Sequence, residues 1–152
     1  MERTLVLIKP DAIERCLIGQ IISRFENKGL RIAGIKMMRT DSSLLHEHYG
    51  HLKELDVFPK IVEFMMSGPI IAMCIEGLDA VKVVRGICGV TKARDAAPGT
   101  IRGDLAMSIR TNLVHASDSL ETANIELKRF FSDTEIFDYT RKIDSIIHIP
   151  DA

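Results

Sequence analysis

Apolar and polar positions fall into blocks along this chain, and each block has the period of a strand or of a helix. Apolar runs at 5–8, 32–38 and 70–75, and a shorter run that begins at 113, predict four strands. The first run is apolar at every position, which is typical of a central strand covered on both faces. Repeats at 17–25, 80–88 and 120–131 predict three helices, and we expect two or three short helices within 42–67.

The order of these elements is the βαββαβ pattern of a ferredoxin-like sandwich. We therefore predict an α/β (α+β) fold with an antiparallel four-stranded sheet and a helical insert between the second and third strands. The segment from Gly89 to Thr111 shows no clear period. Compact domains rarely carry so long a loop without a function, so this segment is a candidate binding loop.

A few positions predict where elements end. Gly29 is expected to stop the first long helix. Ser42-Ser43 is expected to cap the first helix of the insert, and Asp118 and Glu121 are placed like a capping box for the last helix. From residue 132 onward the sequence gives only weak signals of regular structure. Ile146-Ile147 is a candidate for packing on a neighbour.

Composition narrows the class of protein. The chain has 152 residues and a net charge of −1, and we expect one domain over 1–152 with a C-terminal tail at 139–152. Interspersed charges argue against nucleic-acid binding through bulk charge. The longest apolar run, 69–75, is too short to cross a membrane, and we expect no signal peptide. Three widely spaced cysteines favour free thiols in a reducing compartment, so we expect a cytoplasmic protein without a membrane partner.

His115 is the first candidate for chemistry. It follows a short apolar run and precedes Ser117 and Ser119, which are typical helix-starting residues. An imidazole at such a strand-to-helix corner lies near backbone N–H groups that can hold an anion, a good position for attack on phosphate. The alternative is a structural histidine without catalysis.

Cationic residues near the long loop support a phosphate ligand. Arg85, Thr91 and Arg102 lie in or beside the loop, and Lys9 ends the first strand. Guanidinium groups suit phosphate oxygens, and a lysine adds a point charge. These residues and His115 together describe a phosphoryl-transfer pocket, although neither a P-loop nor a Rossmann motif is present. The alternative is that both arginines are solvated surface charges.

Glu126 borders the apolar face of the last predicted helix. A carboxylate at this position can reach back and hold one ring nitrogen of His115, which leaves the other nitrogen as nucleophile. The alternative is a flank glutamate paired with Lys128, Arg129 or solvent.

Three histidines, His46, His48 and His51, invite a metal-site interpretation. Their spacing does not place three ligands on one helical face, so we interpret them as surface histidines.

Several ordered motifs make the chain similar to nucleoside diphosphate kinases from about Arg3 to the end of the last helix. The motifs are Glu2-Arg3-Thr4-Leu5, Ile8-Lys9-Pro10-Asp11-Ala12, Arg24–Gly29, Glu47-His48-Tyr49, Met66–Pro69, Pro98–Asp104 and Asn112–Ser119.

The resemblance implies a ping-pong transfer in which His115 takes the γ-phosphoryl group of a nucleoside triphosphate and passes it to a diphosphate. ATP and other nucleoside tri- and diphosphates would be the substrates. Mg²⁺ would be held mainly by the nucleotide phosphates, without a dedicated protein metal site. The family's assembly implies a homo-oligomer, a hexamer or a tetramer built from dimers.

The same resemblance assigns roles to the site residues. Glu126 would orient His115 and accept a hydrogen bond from Ser117, and Tyr49 would stand near the transferred group. The nucleotide contacts would come from Lys9 at the phosphates and sugar hydroxyl, Arg85, Thr91 and Arg102 at the phosphates, Asn112 at the ribose, and Val57, Phe58, Ile61 and Ile109 at the base.

Three positions depart from the family's pattern. Val57 stands where an aromatic residue usually stacks on the base, and Phe58 would point elsewhere, so we predict weaker base stacking. Lys92-Ala93 replaces a common Asn-Pro, which adds a charge and loosens the loop, and Ala116 replaces a frequent glycine.

Two other interpretations remain at this stage. One is a kinase-like fold kept as a regulatory scaffold, which the intact Lys9, Tyr49, Arg102, His115 and Glu126 disfavour. The other is a ferredoxin-like RNA-binding module, which the absence of aromatics in the predicted strands disfavours.

Overall fold

Four antiparallel strands form one sheet in this computed structural model, which describes residues 1–152. The strands are β1 (Glu2–Ile8), β2 (Arg31–Met38), β3 (Ile70–Gly77) and β4 (Val114–Ala116). Their order across the sheet is β2-β3-β1-β4, and every pair is antiparallel. This topology confirms the predicted ferredoxin-like fold.

Eight α-helices lie between and after the strands. They are α1 (Pro10–Glu14), α2 (Ile18–Asn27), α3 (Ser42–His48), α4 (Phe58–Met65), α5 (Ala80–Cys88), α6 (Ile101–Leu105), α7 (Leu120–Phe130) and α8 (Asp144–Ile147). Helices α3 and α4 form the predicted insert. The pattern did not predict α1 and α6, because five residues are too few to show a helical period. None of the helices is long and apolar enough to span a membrane.

Strand β1 lies at the centre of the fold, and residues 5–8 have no exposed surface. Val6 and Ile8 pack into one apolar cluster with residues of α2 and α5. Leu5 and Leu7 pack into a second cluster with residues of the insert and α7. Successive side chains of a strand point to opposite faces, so a sheet covered on both sides needs this continuous apolar run.

The helix caps differ from the prediction by one residue each. Asp41, and not the Ser42-Ser43 pair, caps α3, because its carboxylate accepts a hydrogen bond from the Leu44 N–H at 2.7 Å. Ser119 caps α7 by accepting from the Thr122 N–H at 3.0 Å, so the expected Asp118–Glu121 box is wrong. Both observed caps have extended backbone, which a side chain needs in order to reach the third N–H.

The C-terminal segment folds back on the start of β2. Arg141 donates to the Gly29 carbonyl at 2.8 Å, and Asp144 pairs with Arg31 at 2.8 Å. Gly29, the predicted end of the first long helix, has a φ of +100°. A Cβ at this position would lie 2.5 Å from the Ile147 side chain, so the glycine also leaves room for the C-terminal segment. Ile146 beside it is 72% exposed.

Candidate active site

A cleft of about 390 Å³ opens over β4, between the helical insert and the long loop. Most of the predicted site residues line it: Lys9, Tyr49, Ile61, Arg85, Thr91, Arg102, Ile109, Asn112, His115 and Glu126. Ser117 lies directly behind it and is fully buried. Val57 and Phe58 also do not line the cleft.

His115 lies in the middle of β4, and Glu126 reaches it from α7. Both Glu126 carboxylate oxygens lie near His115 Nε2, at 3.0 and 3.1 Å. Ser117 donates its hydroxyl to the same carboxylate at 2.7 Å, and the Leu5 N–H donates to the Ser117 hydroxyl at 3.3 Å. A carboxylate accepts only, so a neutral His115 carries its proton on Nε2 and has a free lone pair on Nδ1.

These hydrogen bonds also keep Glu126 ionised. Burial alone would raise the pKa of this carboxyl group, but the hydrogen bonds from His115 and Ser117 and the charge of His115 outweigh burial. The net effect lowers the pKa of Glu126 to about 2. The carboxylate is therefore negative throughout the physiological pH range, ready to balance a positive charge on the ring.

A strained turn connects the long loop to β4. Leu113 is fully buried with a φ of +74°, and the Val114 N–H donates to the Asn112 carbonyl at 2.9 Å, which closes a three-residue γ-turn. Two contacts from the start of α1 hold the turn. The Leu113 N–H donates to Asp11 at 3.1 Å, and the Leu113 carbonyl accepts from the Lys9 N–H at 2.8 Å. Sequence reasoning missed Asp11, whose side-chain carboxylate accepts the hydrogen bond from the Leu113 backbone N–H.

This turn brings Asn112 against Lys9. The Lys9 ammonium donates to the Asn112 side-chain oxygen at 2.8 Å, and the Asn112 amide donates to the Thr91 carbonyl at 3.0 Å. Burial and then the nearby Arg102 charge lower the pKa of Lys9 to about 8, and Asp11 opposes them. Lys9 therefore carries its positive charge at neutral pH inside the cleft wall.

Arg102 is 6% exposed, so it is not a solvated surface charge. Its guanidinium donates to the carbonyls of Gly89 at 2.7 Å, Asn112 at 3.3 Å and Val114 at 2.6 Å. Arg85 donates to the Ala116 carbonyl at 3.2 Å. Three backbone contacts hold the guanidinium plane in place, so the Arg102 charge is fixed relative to β4.

Part of the cleft lining is apolar. Ile61 of α4 and Ile109 of the loop line it, and Ile109 is 56% exposed. Phe58 points into the fold, where it is 6% exposed and meets His46 edge-on at 5.0 Å. Val57 immediately precedes α4, one turn before Ile61. The structure therefore brings no aromatic side chain from 57 or 58 into the cleft.

His48 is the site residue that sequence reasoning misread, because it is buried and not on the surface. Its ring meets the His115 ring edge-on at 4.6 Å and lies 3.5 Å from Glu126 through Nδ1. Tyr49 packs edge-on against the same ring at 4.7 Å, and burial raises the pKa of the Tyr49 hydroxyl. The burial of His48 results from the packing of α3 on α7. The spacing of residues within α3 does not predict this packing.

The remaining departures from the family's pattern fit the local structure. Lys92 pairs with Asp95 at 3.3 Å across a short 3-10 turn, Ala93–Asp95. Ala116 lies in β4 with a buried side chain.

Potential metal ligands are few in the cleft. His48, His115 and Glu126 are close enough to surround an ion. The Arg129 guanidinium, however, donates to His48 Nδ1 at 2.9 Å and opposes a second cation there. Asp118 lines the cleft with an exposed side chain. Asp118 is therefore the accessible carboxylate of the cleft that could contribute to binding a divalent ion.

Known proteins are similar to this chain over most of its length. A family profile described as nucleoside diphosphate kinase matches residues 2–136. A nucleoside diphosphate kinase of Parabacteroides distasonis is 58% identical over 93% of this chain and 93% of its own length. One from Pyrococcus abyssi is 49% identical over 94% and 92%.

Solved structures give the same result. A nucleoside diphosphate kinase of Halobacterium salinarum in complex with CDP superposes with a TM-score of 0.95 and is 44% identical, covering 97% of this chain and 99% of that one. The chain therefore belongs to the nucleoside diphosphate kinase family, and it is a phosphotransferase that moves the γ-phosphoryl group of a nucleoside triphosphate to a nucleoside diphosphate.

Proposed function

We propose that His115 carries the phosphoryl group between the two nucleotides in a ping-pong reaction. The observation that supports this is the position of both Glu126 oxygens at His115 Nε2, which leaves Nδ1 as the nitrogen with a free lone pair. Nδ1 forms a bond to the γ-phosphorus while the bond to the bridging oxygen breaks, and its electrons go to the departing diphosphate. A second nucleoside diphosphate then reverses these steps.

Glu126 supports the step without moving a proton. The His115 ring becomes positive when Nδ1 is phosphorylated, because Nε2 keeps its hydrogen. The Glu126 carboxylate, already fixed by the Ser117 hydroxyl, balances this charge with no reorganisation. We assign the nearby Tyr49 to the space beside the transferred group.

We assign the other residues to the nucleotide by their position along the cleft. The phosphate end takes Lys9, Arg85, Thr91 and Arg102, the ribose takes Asn112, and the base takes Ile61 and Ile109, with Val57 at its edge. Phe58 was expected at the base, but its burial beside His46 argues against a direct contact. Mg²⁺ is the divalent ion we propose, held by phosphate oxygens with Asp118 as the accessible carboxylate, and it would neutralise charge on the phosphates.

The test is labelling with γ-³²P-ATP and Mg²⁺, followed by addition of unlabelled diphosphate. We expect a phosphoprotein that is acid-labile and alkali-stable, and that the diphosphate discharges. His115→Ala is expected to abolish the label and to lower turnover by about 10⁴-fold or more. Equal labelling of folded His115→Ala would reject His115 as the carrier.

We further propose a cytoplasmic homo-oligomer, a hexamer or a tetramer of dimers, in which 1–152 is a single domain with a tail at 139–152. Free thiols at all three cysteines support the compartment, and exposed apolar residues of the edge strand β2, such as Ile35 and Met37, support self-association. Sedimentation velocity gives the stoichiometry, and a monomer at micromolar concentration would contradict the assembly.

A further inference from the structure

We propose that Arg129 is a positioning residue that acts through His48. By fixing the tautomer of His48, Arg129 leaves His115 as the only imidazole that can donate to Glu126. This inference rests on the proposed role of His115 and adds two residues of this chain to the group that orients it.

His48 ends α3 and is held between the reacting histidine and the core. Its side chain is 1% exposed, and its ring meets His115 at 4.6 Å and Phe130 at 5.0 Å, both edge-on. Burial and then the neighbouring His115 lower the pKa of His48 to about 3. A ring in this environment remains neutral and has one hydrogen, on either Nδ1 or Nε2.

The Arg129 guanidinium decides between those two nitrogens. It donates to His48 Nδ1 at 2.9 Å, and a guanidinium has no acceptor, so Nδ1 must hold a lone pair and Nε2 the hydrogen. Nδ1 is also the atom that lies 3.5 Å from Glu126. In this tautomer His48 has no hydrogen to offer the carboxylate, and His48 Nε2 is buried without a partner.

Without Arg129 the other tautomer becomes favourable. A hydrogen on His48 Nδ1 would point at a carboxylate 3.5 Å away and form a charge-assisted hydrogen bond after a small shift. Glu126 would then divide its oxygens among two imidazoles and Ser117. The hydrogen bond that fixes the His115 tautomer would weaken.

Arg129 itself lies outside the cleft, so it has no direct contact with a bound nucleotide there. Its side chain is 13% exposed and also pairs with Glu47 at 3.3 Å. Apart from folding and bulk charge, Arg129 can affect phosphorylation only through its neighbours. Of these, His48 is the one that touches both Glu126 and His115.

The experiment compares Arg129→Met in two backgrounds, the natural chain and His48→Phe. Phenylalanine keeps the edge-on packing but offers no donor to Glu126. The measurement is the single-turnover rate of phosphoenzyme formation from γ-³²P-ATP. We expect Arg129→Met to slow this rate about tenfold when His48 is present, the size of one net hydrogen bond, and by less than about twofold when Phe replaces it. Lys128→Met, an exposed charge on the same helix, is the matched control and is expected to leave the rate unchanged.

Equal slowing in both backgrounds would overturn the proposal, because Arg129 would then act through folding or bulk charge. No slowing when His48 is present would also overturn it.

A second readout needs no variant. Nitrogen-15 chemical shifts of labelled histidine report the tautomer, and we expect His48 protonated on Nε2 only. A hydrogen on His48 Nδ1 in the natural protein would overturn the proposal even if Arg129→Met failed to fold. Phosphate found on a residue other than His115 would instead reject the proposed function. The nitrogen-15 measurement would still report the His48 tautomer in that case.

Discussion

The two ends of the cleft are built in different ways. At the end that we assign to the phosphates (the phosphate end), buried side chains are fixed by backbone groups, as in Arg102, which donates to three carbonyls. At the end that we assign to the base (the base end), Ile61 and Ile109 line the cleft, and Ile109 is 56% exposed. Fixed charges suit a transfer whose geometry is the same for every nucleotide, whereas an open apolar lining accepts bases of different shape. This difference is what we expect of a site that accepts several nucleotides.

The largest expected effect comes from removing a fixed cation at the phosphate end. Arg102→Met leaves three carbonyls without their donor, and each unsatisfied buried group costs about 1–3 kcal/mol. We expect the free energy of unfolding to fall by about 3 kcal/mol or more, as measured by urea denaturation. Ile109→Ala, at the open end, is expected to change it by less than about 0.5 kcal/mol. Similar losses for the two variants would remove the contrast between the ends.

The next largest effect concerns the orientation of the nucleophile. Glu126→Gln keeps the size of the side chain but removes its charge and one acceptor. We expect the rate of phosphoenzyme formation to fall about 10²-fold while the Kd for ADP stays within about twofold. Rapid-quench labelling and calorimetry separate the two quantities. A variant that lost affinity instead of rate would show that Glu126 serves binding.

Lys9 gives the phosphate end a dependence on pH. Because burial lowers the pKa of Lys9 to about 8, the ammonium is charged below this pH and loses its proton above it. Affinity for ADP should therefore be highest below pH 8, and the Kd should rise by up to about tenfold per pH unit above it. Lys9→Met should bind more weakly and lack this rise. A natural protein with a flat Kd between pH 7 and 9.5 would contradict the lowered pKa.

The smallest expected effect is at the base end. Val57→Phe adds an aromatic ring one turn before Ile61, and partial stacking should lower the nucleotide Kd by about three- to tenfold. Leu55→Phe, an exposed position outside the cleft, is the matched control and should have no effect. Unchanged affinity in Val57→Phe would mean that the base does not reach this helix end.

Much of the site was predictable because motifs placed chemically distinctive residues at element ends. The Glu126 carboxylate was expected at His115 from its place beside the apolar face of α7, and the structure has both oxygens there. His48 was misread because its burial comes from the docking of α3 against α7 and depends on residues distant in sequence. Phe58 was expected among the base contacts even though the helix register turns its side chain elsewhere, and the structure has it buried beside His46.

The sequence by itself determined the order of the elements, the doubly covered strand β1 and the family, because hydrophobic period and motif spacing are local properties of the chain. Several other polar contacts were decided only by the tertiary structure. The positive φ of Leu113 depends on Asp11 and Lys9, and the tautomer of His48 depends on Arg129. A hydrogen bond needs a donor–acceptor distance of about 3 Å and a suitable angle. Groups distant in sequence meet these conditions only when the chain is folded.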